Sequence, residues 1–139
     1  MPALVPLAIV IVSGIVYHLA QKSSGPVRPW PMLTVAYGAA FAVAVACTLA
    51  TSDLRAWSFG RGARTAGLLV GLAAFGIEAG FFYIYRSGWP LASASVIAGA
   101  TTTAILAVVG VVVYREPITG ARVAGLFLAT AGAALIARR

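Results

Sequence analysis

Five apolar runs, Ala3 to Ala20, Met32 to Thr51, Ala66 to Tyr85, Leu91 to Tyr114 and Ala121 to Ala137, each 17 to 24 residues long, dictate what this chain can fold into. A helix rises ~1.5 Å per residue, so about 20 residues cross ~30 Å of hydrocarbon, and every run falls in that range. No run alternates with period two, as the strands of a membrane barrel do. Backbone polar groups in lipid must be satisfied within the spanning element itself, which leaves α-helices. The breaks agree. Lys22 to Pro31 holds Gly25, Pro26, Pro29 and Pro31; Ser52 to Thr65 holds Asp53, Arg55, Arg61 and Arg64; Arg86 to Pro90 and Arg115 to Gly120 are short turns. The expected architecture is an all-α integral membrane protein of five transmembrane helices, residues 1–139 forming a single domain without a separate soluble part.

Composition closes the other routes. Charged residues make up 9% of the chain and hydrophobic ones 61%, whereas a soluble domain needs about a quarter of its residues charged to cover its surface. A soluble enzyme, a disordered tail, a disulfide-stapled module and a transcription factor are excluded on that ground. The net charge of +7 does not indicate nucleic acid, because the basic residues are scattered over the ends of apolar runs, where Lys and Arg anchor helices at headgroups. Cys47 is the sole cysteine and lies inside an apolar run, so an intrachain disulfide is impossible. The N-terminal Met1 to Pro6 has no basic segment and no small-residue cleavage pattern follows, so the first span is expected to be retained. Trp30, Trp57, Trp89, Tyr85 and Tyr114 fall at run ends, the positions of an aromatic belt.

The basic residues also bear on orientation. In a five-span chain Lys22, Arg28, Arg86, Arg138 and Arg139 share one side of the membrane, and Arg55, Arg61, Arg64, Arg115 and Arg122 share the other. Five face five, so the excess of positive charge that fixes topology is missing, and insertion in both orientations is expected.

The second half reads Gly76-Ile77-Glu78-Ala79-Gly80-Phe81, Tyr85-Arg86-Ser87-Gly88-Trp89-Pro90-Leu91, Tyr114-Arg115-Glu116-Pro117-Ile118-Thr119 and Gly125-Leu126-Phe127-Leu128-Ala129-Thr130-Ala131-Gly132. These segments resemble the drug/metabolite transporter superfamily, in particular a single EamA-type domain, and more distantly the small multidrug resistance transporters. The resemblance covers essentially the whole chain and implies one half of a ten-helix inverted-repeat transporter, the other half coming from a second copy or a paralogue. It implies a small-molecule transporter of a metabolite, amino acid or cationic amine. A proton-coupled exporter working as an antiparallel, dual-topology homodimer in the bacterial or archaeal cytoplasmic (inner) membrane is the expectation. Inverted repeats are a recurrent transporter architecture, in keeping with the charge balance. Half of a heterodimeric transporter, or a non-transporting accessory or scaffold subunit, are the alternatives. One departure is clear: the four-span relatives carry a carboxylate in their first helix, and Ala3 to Ala20 has no acid.

The candidate coupling group is therefore Glu78, thirteenth residue of the run from Ala66 to Tyr85 and roughly 10 Å from its nearer end. Intramembrane acids mark ion or substrate pathways. Gly71, Ala74, Phe75, Phe81, Phe82 and Tyr85 share its helical face, and aromatic rings beside a carboxylate suit a cation. A structural hydrogen bond from Glu78 to a neighbouring helix is the competing role. His18, beside Tyr17, is either a partner for Glu78 or an interfacial histidine. Glu116, between Arg115 and Pro117, reads as a turn residue. Ser95, Gly99 and Thr102 share a face of the fourth run that either lines a polar cavity or bonds back to helical carbonyls. Ala121, Gly125, Ala129, Ala133 and Ala137 recur every four residues, a small-residue stripe for close helix packing within the protomer or at a dimer seam. One histidine, one cysteine and three scattered acids predict neither a metal site nor a cofactor, and an enzyme is not expected. The expected partners are membrane lipid, a second copy or paralogous half, and a small-molecule substrate, without nucleic acid.

Overall fold

The computed structural model describes residues 4–51 and 60–137. It contains five helices: α1 (Leu4–Ser23), α2 (Pro29–Thr51), α3 (Arg61–Arg86), α4 (Leu91–Val112) and α5 (Gly120–Ala137), with no strand among the described residues. All five are long and apolar enough to span a membrane, with mean hydropathies of 1.6 to 2.1. The described residues thus form an all-helical arrangement that fits an integral membrane protein. Asp53, Arg55 and Trp57, the first residue of the first run, Ala3, and the terminal Arg138 and Arg139 lie outside the described residues.

The helices outrun the apolar runs where local chemistry permits. α2 starts at Pro29 rather than Met32, and Pro31 sits in its first turn. The first four N–H groups of a helix have no intrahelical acceptor, so proline loses nothing there and its fixed φ favours the helix. α3 takes in Arg61 to Thr65 and reaches 26 residues, about 39 Å, so its N-terminal turn extends into the headgroup zone. Long basic side chains suit that zone. α4 stops at Val112, two residues early, because Arg115 adopts a left-handed φ of 54° and turns the chain.

The chain divides into two compact units, Met1–Lys22 with Ile84–Arg139, and Ser23–Tyr83. In the first, α4 and α5 pack directly against each other as a hairpin. The turn that leads into α4 is a glycine-terminated helix end. Gly88, at φ 87°, donates to the Tyr85 carbonyl, and Trp89 N–H donates to the Ile84 carbonyl. This closes the last carbonyls of α3, and Pro90 blocks any continuation. Lys22 Nζ donates to the Trp89 carbonyl at 2.9 Å and lies 5.8 Å from the centre of the Tyr85 ring, fastening the end of α1 to that turn. At the opposite hairpin end Thr119 caps α5: its Oγ1 accepts from Arg122 N–H and its carbonyl from Val123 N–H.

In the second unit α2 and α3 meet through aromatic rings, Trp30 stacking on Phe75 and Tyr37 tilting against the same ring, each at 6.1 Å between centroids. Leu33, 2% exposed, is buried between them in sequence. Long stretches of both units keep apolar side chains open: Val35, Phe41, Leu68, Leu72 and Phe127 are all about 70% exposed, as lipid-facing residues must be.

Candidate functional site

Glu78 is half-buried in α3, together with Ala74, Ala79 and Phe81, while Phe82 and Tyr85 are buried outright. Ala74, Phe81, Phe82 and Tyr85 share one stripe of the helix with Glu78, at spacings of three, four and seven residues from it. One turn earlier on α3 is Phe75, which lies against α2. There Trp30, Leu33, Thr34 and Tyr37, at positions i, i+3, i+4 and i+7 of one face, join Phe75 in lining a cavity of about 250 Å³. The Tyr37 hydroxyl lies within charge-interaction range of Glu78. That hydroxyl is buried and has no hydrogen-bond partner among the described residues. A buried polar group in this state is uncommon, since burial without a partner has a cost of about 1 to 3 kcal/mol. α2 and α3 therefore form an aromatic cavity with one unused hydroxyl and a carboxylate in electrostatic reach, a set of groups that suits an organic cation.

The other expected site residues have different surroundings. Phe82, 1% exposed, makes an edge contact with Tyr83. Tyr85 is 5% exposed and belongs to the first unit, where its Oη lies 2.8 Å from His18 Nδ1. The ring of His18 also meets Tyr17 edge-on at 4.8 Å. So Tyr85 is a buried residue with a bonded hydroxyl, and His18 meets a tyrosine on α3. The pair is separated by 67 residues, and no local pattern announces it.

In α4, Ser95 Oγ donates to the Leu91 carbonyl at 2.9 Å, the back-bonding role, while Thr102 is exposed. On α5, Gly125 and Ala129 line a cleft against Thr103, Ala107 and Val111 of α4, so this part of the small-residue stripe faces α4 within the protomer. Ala133 is buried and Ala121 is exposed. Glu116 acts in the turn as expected from its sequence position, its N–H donating to the Gly110 carbonyl at 2.9 Å.

Trp30, Tyr37, Gly110 and Arg122 were not singled out by sequence reasoning as site residues. For Trp30 and Tyr37 a signal was present in their seven-residue spacing with Leu33 and Thr34 between, which marks one helical face. Gly110 and Arg122 carry no such mark.

No family model matches the chain, and neither a curated protein nor a solved structure matches it.

Proposed function

We infer that the chain is one half of a small-molecule membrane transporter, a proton-coupled exporter of amine-bearing cations that works as an antiparallel homodimer in the cytoplasmic membrane of a bacterium or archaeon. The observation that carries this reading is the unpartnered Tyr37 hydroxyl, buried beside Trp30 and Phe75 and within the field of Glu78. In this mechanism the Glu78 carboxylate holds either a proton or the ammonium group of the substrate. The rings of Phe75, Trp30 and Tyr37 stabilise the cation through their faces, and the Tyr37 hydroxyl supplies a polar contact. Phe82 and Tyr85, buried on the same helix, hold that stretch of α3 in place. Protonation of Glu78 from one side expels the cation; loss of the proton on the other readies the site again. In this reading deprotonated Glu78 is tolerable in the span because it is half-buried rather than fully open. The resemblance to EamA-type domains and the five-to-five charge balance support the paired, oppositely inserted halves.

The test is transport by the purified chain in proteoliposomes, under an imposed pH gradient, with a panel of radiolabelled primary and quaternary amines. Wild type should show gradient-driven flux, and Glu78→Gln should bind without coupled flux. Full proton-driven flux in Glu78→Gln would remove the assignment. Reporters fused after Arg139 that are active on only one side of the membrane test the dimer, with comparable signal on both sides expected.

A further inference from the structure

The α4–α5 hairpin carries a second cavity that the transport mechanism does not use. It is a cleft of about 400 Å³, and at its turn end it is lined by two groups of opposite charge, Glu116 and Arg122. Its floor is apolar and small: Ala107 and Val111 on α4, Gly125 and Ala129 on α5. A second cleft of about 320 Å³ shares Ala107, Val111, Ile118 and Leu126 with the first and adds only apolar residues, so the hydrocarbon-lined part continues along the same helices. From Val111 to Thr103 and from Arg122 to Ala129 the cleft runs roughly 10 to 12 Å into the span. It is charged at the membrane end and apolar inward.

Both charges are positioned by local chemistry. Arg122 is in the first turn of α5, and one N–H of its guanidinium donates to the Pro117 carbonyl at 3.0 Å, which fixes the head over the turn. The Glu116 carboxylate reaches back over α4, where Gly110 has no side chain to obstruct it: a Cβ there would lie 3.0 Å from Oε2. The fork of Arg122 matches a phosphate, and the carboxylate matches a primary ammonium, which has three N–H donors. An apolar floor beneath that pair fits an acyl chain.

We propose that the α4–α5 cleft binds one zwitterionic phospholipid with a primary-amine headgroup, its phosphate on Arg122, its ammonium on Glu116 and an acyl chain in the groove past Gly125. A free zwitterion in water would use the two charges and leave the groove empty. An anionic headgroup without an amine would place its phosphate on Arg122 but leave the Glu116 carboxylate beside it with no N–H donor. A trimethylated amine has no N–H to donate. The primary-amine lipid satisfies both charges and the floor together, and the cleft acts independently of Glu78.

The experiment is native mass spectrometry of the full chain released from micelles containing equal amounts of phosphatidylethanolamine, phosphatidylcholine and phosphatidylglycerol with the same acyl chains. Wild type should retain one phosphatidylethanolamine per protomer in preference to the other two. Glu116→Gln should abolish the preference for ethanolamine over choline while keeping a bound lipid. Arg122→Gln should lower retention of all three by about tenfold, the scale of a lost charge-assisted hydrogen bond, and Arg122→Lys should recover part of it. Gly125→Leu, which fills the groove and leaves both charged residues in the sequence, should lower retention of all three. Equal retention across wild type, Glu116→Gln and Gly125→Leu would overturn the site. A disulfide between two Gly125→Cys copies, formed with lipid retention unchanged, would assign the groove to a second copy and overturn it as well.

Discussion

Glu116 N–H donates to the Gly110 carbonyl at 2.9 Å, and its carboxylate occupies the space a side chain on Gly110 would need, Oε2 lying 3.0 Å from where a Cβ would be. The left-handed Arg115 between them turns the chain back so that Glu116 lies over Gly110. The glycine is needed for space, because nothing in its helical backbone demands it.

That relationship predicts a graded response at residue 110. In Gly110→Ala the added methyl moves only the end of a flexible side chain, and the helix gains about 0.5 to 1 kcal/mol from replacing glycine, so stability in detergent should stay close to wild type. Gly110→Leu should displace the carboxylate and loosen the hairpin. Adding Glu116→Ala should restore part of the loss, a coupling on the order of 1 kcal/mol in a double-mutant cycle read by thermal unfolding.

His18 and Tyr85 should behave as a pair. Tyr85→Phe removes the hydroxyl and His18→Phe the ring nitrogen it bonds, each costing about 1 kcal/mol, and the double variant should cost less than the two added together. Strict additivity would mean that the 2.8 Å contact contributes nothing.

Gly88 closes α3 at φ 87°, where a β-carbon is strained. Gly88→Ala should lower stability by about 1 to 2 kcal/mol, with melting temperature as the readout. Gly99→Ala in α4, where an added Cβ meets open space, should not destabilise, which makes it the control.

Cys47 is exposed near the C-terminal end of α2. With lipid as its environment, the thiol should react with an apolar maleimide in intact membranes much faster than with a charged, membrane-impermeant reagent. Detergent should remove the difference. Equal rates in the membrane would place this part of α2 in water.

Within the proposed transport mechanism, Trp30→Ala and Tyr37→Phe should raise KM for an amine substrate more than they lower kcat, because both residues contact the cation and neither carries the proton. Loss of one aromatic face or one polar contact should weaken binding by about three- to tenfold. An unchanged KM in both variants would exclude the α2–α3 cavity as the binding site.

Membrane class, the number of spans and their approximate limits are readable from the amino-acid order alone. Those follow from hydrophobic length and from Gly, Pro and charge at the breaks, all properties of residues close together in the chain. Glu78 as an intramembrane acid and Glu116 as a turn residue were legible for the same reason. Helix ends shifted by a few residues because proline is free in a first turn and polar residues extend a helix into headgroups, as at Pro29 and Arg61. The meeting of Tyr85 with His18, the convergence of Trp30 and Tyr37 on Phe75, and the room that Gly110 makes for Glu116 emerge from helix packing instead. Helical periodicity shows which face a residue occupies, yet a uniformly apolar helix in lipid has little polar contrast to show which face meets a neighbour. That choice rests on ring shapes, a single hydroxyl and the absence of one side chain, and it forms only when the helices come together.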